Sequence, residues 1–366
     1  MFIHQHSNWH LFRYNHDDIL SLLATVRNMQ GRLVGRMESL GFSLREEAML
    51  TTLTLDVLKS TEIEGEHLDK EQVRSSIARR LGFDKQSLVQ SSRNVDGVVE
   101  MMLDATQNLA SELTEERLFG WHAALFPTGW SGMYCIEVGK YRTGEMEVVS
   151  GAMGHEKVHY QAPLPSNLSK EMHEFLKWIN QSSNLDPVLK SAIAHFWFVT
   201  IHPFDDGNGR IARAIADMLL ARSDGSSQRF YSMSSQILED RKTYYKVLEQ
   251  TQRGSGDLTQ WIVWYLECLK RALEATEGTL DSILTKFRFW ETHRNTTLSD
   301  RQHKMLNRML DGFEGKLTSS KWAKITKCSS DTALRDIQDL IAKGILCKDE
   351  KSGRSTNYDL VTISPV

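Results

Sequence analysis

Two strongly apolar segments flank the stretch His202-Pro203-Phe204-Asp205-Asp206-Gly207-Asn208-Gly209-Arg210-Ile211-Ala212-Arg213, and this join constrains the fold more than any other feature. Upstream, Asp186-Pro187 reads as an N-cap followed by proline at the first helical position. Leu189, Ile193, Phe196 and Trp197 then fall on a helical apolar stripe. Pro203 disfavours the α conformation for His202, so the helix is predicted to stop near Ile201. Downstream, Ile211, Ile215, Leu219 and Leu220 mark a second apolar helix. Asp206 to Gly209 is the tight connection, whose glycines permit unusual backbone angles and close approach by a ligand. The start of the second helix offers unpaired N–H groups and a partial positive charge, a setting that suits phosphate.

Arg210 and Arg213 stand in the first turn of that helix, where the macrodipole disfavours cations, and they share one face. Both therefore need an anion. An acidic segment with the opposite problem lies upstream. A long amphipathic helix is predicted over residues 15–40, ended by Gly41. A second begins at Ser43, which forms an S-x-x-E capping box with Glu46. This second helix ends in Ser60-Thr61-Glu62-Ile63-Glu64-Gly65-Glu66, three acids at the negative end of a helix dipole. Glu64 is thus expected to have a cationic partner elsewhere.

Further helices are predicted over 67–127, one of them opened by Thr114. The stretch 128–165 is rich in glycine and β-formers. Lys140 to Thr143, Glu145 to Gly151 and Val158 to Gln161 read as a β-hairpin inserted in a helical protein, with an edge able to take an extended peptide. Two short motifs mislead. His155-Glu156-Lys157-Val158-His159 fits the zinc pattern HExxH, but glycines and prolines around it deny the helix that this chemistry needs. Gly207 to Ala212 fits GxGxxA, but no strand precedes it and no acid stands about 20 residues on. A Walker phosphate loop is absent.

The charge balance, 44 basic against 47 acidic residues, does not suggest a polyanion-binding protein overall. The four cysteines are widely spaced and form no CxxC, which predicts reduced thiols and a cytoplasmic protein. No signal peptide and no membrane-spanning run is evident. Beyond the second apolar helix, Tyr244, Tyr245 and Gln252 lie on another predicted helix, and Tyr245 and Gln252 share a face that could meet a planar ring. Residues 296–366 read as a separate small domain of three helices and a hairpin turned at Ser352-Gly353, resembling a winged helix-turn-helix. It holds 12 basic and 9 acidic residues. DNA binding is open there, but Asp331, Asp336 and Asp339 on the third helix favour a protein-interaction or structural role.

His202 to Arg213 resembles, without a gap, the Fic-family motif HxFx(D/E)GNGRxxR. Ser60 to Gly65 is similar to the [S/T]xxxE[G/N] motif of the subgroup with an N-terminal inhibitory helix. The resemblance covers about residues 43–270. It implies a mainly α fold with the inhibitory helix at about 43–65 and a helical core with a β-hairpin flap; together with the readings above, the expected division is an N-terminal helical region over 1–90, the core over 91–295 and the winged-helix-like domain over 296–366. It further implies a protein adenylyltransferase that moves AMP from ATP to a Ser, Thr or Tyr hydroxyl of a protein, itself included, with Mg²⁺. By the same resemblance, His202 is the general base and Asp206 holds Mg²⁺. Gly207, Asn208 and Gly209 cradle the α- and β-phosphates through backbone N–H groups and the Asn side chain. Arg210 contacts phosphate or ribose and Arg213 the γ-phosphate. Tyr244, Tyr245 and Gln252 border the adenine pocket, and Val148, Val149 and Ser150 dock the target. Ser60, Glu64 and Gly65 form the inhibitory element, with Glu64 pairing Arg213. A homodimer is a family-level expectation. The reverse reaction, removal of AMP from a target, and a nucleotide-sensing DNA-binding regulator are the alternatives.

Overall fold

The computed structural model describes residues 1–38, 42–83, 88–150, 157–310, 312–313, 315–348 and 356–361. The chain divides into two compact units, residues 1–277 and 278–366.

The first unit contains α1 (His16–Glu38), α2 (Phe42–Ile63), α3 (Lys70–Leu81), α4 (Arg93–Gln107), α5 (Glu115–Leu125), α6 (Leu168–Asn180), α7 (Pro187–Ile201), α8 (Asn208–Asp224), α9 (Met233–Glu239) and α10 (Arg241–Gln252). The division between the units falls within α11 (Thr259–Thr292). Several starts are fixed by short polar side chains. Asp69, Ser92, Thr114 and Asp186 each accept a hydrogen bond from a first-turn N–H. Gly41 and the side chain of Ser43, expected to end α1 and cap α2, lie outside the described residues.

Helices α7 and α8 form the centre. Every residue from Ser191 to Ile201 is buried, as are Arg210 to Ala221. A helix apolar on all sides needs neighbours on all sides. Helix α7 packs on α8 and α6, and α8 also meets α1, α2, α4 and α5. Helix α2 lies against α3 and α9 as well. Among the described residues no helix is long and apolar enough to cross a membrane.

Between α5 and α6 the chain makes two antiparallel pairs, β1 (Trp130–Ser131) with β2 (Tyr134–Cys135), and β3 (Glu147–Ser150) with β4 (Lys157–Gln161). The register of the second pair runs Val148 to Tyr160, then shifts so that Val149 meets Val158 and Ser150 meets Lys157. The buried Tyr160 donates its hydroxyl to the Thr200 carbonyl at 2.7 Å, which pins β4 to α7. The expected strand over Lys140 to Thr143 is not formed. There the Arg142 N–H bonds the Pro203 carbonyl at 2.9 Å instead of a strand partner.

The second unit holds α12 (Asp300–Leu310), α13 (Ser319–Thr326), α14 (Ser330–Ala342) and the antiparallel pair β5 (Leu346–Lys348) and β6 (Tyr358–Leu360). Its core includes Phe289, Leu306, Trp322, Ile337, Leu340 and Leu346. Thr318 and Ser329 cap α13 and α14. Two of the acids on α14 have partners within the unit: Asp336 pairs with Arg301 at 2.9 Å and Asp339 with Lys343 at 2.5 Å. The expected turn at Ser352-Gly353 lies outside the described residues.

Candidate active site

Helix α7 ends as its sequence predicts, but not in extended backbone. His202 takes the left-handed conformation, φ 51°, and donates its N–H to the Phe198 carbonyl at 3.0 Å. Few non-glycine residues sit there, and those that do concentrate at functional sites. The turn is held from outside the motif by Arg142, a buried residue that the motif does not contain. Its Nε donates to the His202 carbonyl at 2.8 Å and one terminal nitrogen to the Pro163 carbonyl at 2.6 Å.

The His202 ring makes one informative contact, Nδ1 to the Val199 carbonyl at 3.0 Å. A carbonyl only accepts, so Nδ1 carries the proton and Nε2 of the neutral ring keeps its lone pair. Burial lowers the His202 pKa, outweighing nearby Glu64 and Asp206. Neutral imidazole with a free Nε2 is the form a general base requires.

Phe204 is fully buried and stacks on His122, with centroids 4.3 Å apart. The Asn208 amide clasps the backbone of the same residue. Phe204 N–H donates to Oδ1 at 3.0 Å, and Nδ2 donates to the Phe204 carbonyl at 2.8 Å. The Asn208 side chain therefore shapes the loop and does not face a phosphate, contrary to the expected role. What Asn208 can offer an anion is its backbone N–H. Gly207 has φ 80°, and a Cβ there would stand 2.9 Å from the Phe126 ring, so both backbone and space require glycine. Asp206 accepts the Gly207 N–H at 2.6 Å and a hydrogen bond from the Ser131 hydroxyl.

No side chain caps the start of α8. Its first turn is faced instead by Glu64. A Cβ built on Gly209 would lie 2.3 Å from Glu64 Oε1, so the carboxylate rests directly over that turn. The same oxygen accepts from Arg213 Nη2 at 2.7 Å. Arg213 also bonds Ser60, from Nε to Oγ at 2.9 Å and from Nη2 to the carbonyl at 2.8 Å. Arg213 is 2% exposed and the Glu64 side chain 29%. Burial works against the Arg213 charge, but Glu64 together with Tyr244 and Tyr245 outweighs it and the Arg213 pKa is raised. Arg210 has its own acid, Glu66 at 3.2 Å, and lies over the Phe126 ring at 5.0 Å. Gly65 between the two acids has φ 87° and lets the chain leave α2 so that both reach back.

Glu64, His202, Asp206, Gly207, Asn208 and Gly209 line a cleft of about 740 Å³, together with Val148, Val149 and Ser150 of the hairpin and Tyr244, Tyr245 and Gln252 of α10. Tyr244 is 1% exposed, with its hydroxyl 3.1 Å from His195 Nε2, whereas Tyr245 is 39% exposed. Tyr245 thus offers a ring face and Tyr244 mainly supports it. Gln252 donates to the Thr200 hydroxyl at 3.3 Å. Of the HExxH match, His155 and Glu156 lie outside the described residues. Among the described residues no cluster of three His, Cys, Asp or Glu could hold a metal ion.

Residues 112–220 match the Fic/DOC family. Residues 2–83 match a domain of unknown function, DUF4172. Glu64 and Arg213 therefore come from segments that match two different families. The chain is 23% identical over 223 residues to a protein adenylyltransferase Fic of Nematostella vectensis, covering 60% of this chain and 47% of that one. It is 27% identical over 221 residues to the protein adenylyltransferase Fic of Drosophila grimshawi, covering 60% and 41%. The chain thus spans less than half the length of these curated relatives. A Fic family protein from Desulfovibrio desulfuricans G20 shares the fold with a TM-score of 0.56 at 21% identity, over 95% of this chain and 97% of that one. Sequence reasoning missed Ser131, Phe126, Arg142 and the role of Glu66. Only the unpaired charge of Arg210 in a helix start carried a trace of the last.

Proposed function

We propose that the Fic/DOC domain transfers AMP from ATP to a Ser, Thr or Tyr hydroxyl of a protein, and that Glu64 holds the reaction in check. The observation that carries this is the Glu64 carboxylate resting over the first turn of α8 while bonded to Arg213. A carboxylate at a helix start bonded to an arginine marks the place of a phosphate. In the transfer, His202 Nε2 takes the proton of the target hydroxyl. Its oxygen forms a bond to the α-phosphorus, and the bond from phosphorus to the bridging oxygen breaks, releasing pyrophosphate. The N–H groups of Asn208 and Gly209 stabilise charge on the α-phosphate oxygens.

Asp206 fits Mg²⁺ in a particular way. It is a carboxylate on the cleft wall, held by Ser131 and the Gly207 N–H and 3.9 Å from Arg210. That donor set suits an ion completed by phosphate oxygens and water. When bound, Mg²⁺ would neutralise phosphate charge there. With Glu64 in place, Arg213 cannot take the γ-phosphate, and ATP lies misaligned for attack. The inhibitory helix, the hairpin as a target-docking flap and the C-terminal unit as a winged-helix interaction module belong to the same proposal.

The test is self-modification with labelled ATP. Glu64→Gly is expected to raise it on the order of a hundredfold, since about 1 Å of misplacement costs that much. With an added protein as the acceptor, His202→Ala should abolish the gain. No gain from Glu64→Gly would remove the inhibition reading.

A further inference from the structure

The hairpin carries a second set of reactive groups on the wall of the same cleft. Ser150 Oγ lies 2.5 Å from His159 Nε2. His159 Nδ1 lies 2.7 Å from Glu249 Oε2 on α10. Burial acts against the Glu249 charge, but the hydrogen bond and charges of His159, Lys157 and Arg253 prevail and its pKa is lowered. An ionised carboxylate only accepts, so the proton between this pair sits on Nδ1. With the proton on Nδ1, an unprotonated Nε2 accepts the hydrogen bond of the Ser150 hydroxyl. This is the nucleophile, base and orienting acid in the order that activates a hydroxyl.

Glu249 is itself held. Its other oxygen meets Arg253 Nε at 3.3 Å, and Arg253 Nη2 donates to the carbonyls of Val158 and His159 at 3.1 Å each. One guanidinium therefore fixes both the acid and the strand that bears the histidine. The register shift between Val148 and Val149 offsets the two strands beside Ser150. The bland account of the same contacts is a clasp that ties β4 to α10. That account needs His159 and Glu249 but gives Ser150 no task.

We propose that Ser150 is an activated nucleophile, with His159 as its base and Glu249 as the residue that positions His159, and that it is the chain's own acceptor of AMP. The acceptor part rests on the AMP-transfer reading above; the nucleophile part does not. In the step, the Ser150 oxygen bonds the α-phosphorus of ATP and the phosphorus bond to the bridging oxygen breaks. Pyrophosphate leaves and the hydroxyl proton passes to His159 Nε2. The product is a phosphodiester on Ser150. Because Ser150 has its own base, this modification does not require His202.

Two measurements test it on the full chain. First, an alkyl fluorophosphonate probe, which forms a serine–phosphorus bond as fluoride leaves, is expected to label Ser150, as read by peptide mass spectrometry. His159→Asn should slow labelling about a hundredfold, the usual worth of a general base. Glu249→Gln should slow it about tenfold at unchanged melting temperature, with partial recovery in Glu249→Asp. A structural clasp would move the melting temperature and not the labelling rate. Second, Glu64→Gly protein incubated with ATP should carry AMP on Ser150, retained in Glu64→Gly/His202→Ala and lost in Glu64→Gly/Ser150→Ala. An unlabelled Ser150, or labelling indifferent to His159→Asn, overturns the nucleophile. AMP on other residues but not on Ser150 overturns the acceptor and leaves AMP transfer standing. Probe labelling with no AMP on this chain or on added proteins refutes AMP transfer and the acceptor together, and leaves the nucleophile standing.

Discussion

Removing the Glu64 carboxylate should cost the free protein stability and open the γ-phosphate position of the nucleotide site. Arg213 is 2% exposed, and Glu64 is its one ion-pair partner among the described residues. Breaking a buried pair by deleting one partner costs about 3–5 kcal/mol, because the remaining charge stays buried. Two features put Glu64→Gly at the low end. Glu64 reaches solvent, and Ser60 keeps two hydrogen bonds to Arg213. About 3 kcal/mol in a unit of this size lowers the melting temperature by about 5 °C. ATP supplies an anion in place of the carboxylate. At a hundred times its dissociation constant it returns about 2.7 kcal/mol, nearly the whole loss. The assay is thermal unfolding of wild type and Glu64→Gly in phosphate-free buffer, with and without ATP. The variant should melt lower alone and gain several degrees more from ATP than wild type does. Equal melting temperatures, or equal gains, would refute the reasoning that Glu64 occupies the anion position.

Three further outcomes follow from single contacts. Gly97→Ala should destabilise by about 3 kcal/mol or more, read by urea unfolding, because its Cβ would meet the Ala124 carbonyl oxygen at 1.8 Å and backbone cannot step aside. His122 is kept neutral by burial, with its pKa lowered to about 4, and accepts the Gly139 N–H at Nδ1. The unfolded chain binds a proton near pH 6.5 that the folded chain refuses, so stability falls as pH drops from 6.5 towards 4, by up to about 3 kcal/mol. His122→Phe should make the acid limb of unfolding curves shallower across this range, with His4, His195 and His202, whose pKa values burial also lowers, supplying the remainder. Asn208→Ala strips the Phe204 N–H and carbonyl of their partners, at about 1–3 kcal/mol for each buried group. AMP transfer should fall further than stability does, since the loop at α8 loses its shape while the helices remain.

Local chemistry made the framework readable. Asp186-Pro187 starts α7 and Pro203 stops it, because capping and ring sterics act over a few residues. Thr114 and Thr318 open helices for the same reason. Where a residue's partner was distant, reading failed. Lys140 to Thr143 looked like a strand from its residue types, but Arg142 is committed to the carbonyls of His202 and Pro163. The Asn208 amide was assigned to a phosphate, and only the path of the loop shows that it clasps Phe204.

The sequence alone determined that two apolar helices meet in a glycine loop with two arginines at a helix start, and that an acidic helix end stands elsewhere in want of a cation. Those are statements about dipoles and backbone angles, which neighbours along the chain decide. Residue chemistry left open which charge answers which, and only the family resemblance named the Glu64–Arg213 pair; the tertiary structure decides it. It set Glu64 against Arg213, Glu66 against Arg210 and the Glu249 carboxylate against the His159 ring, since the energy of a polar contact depends on distance and burial and not on separation along the chain.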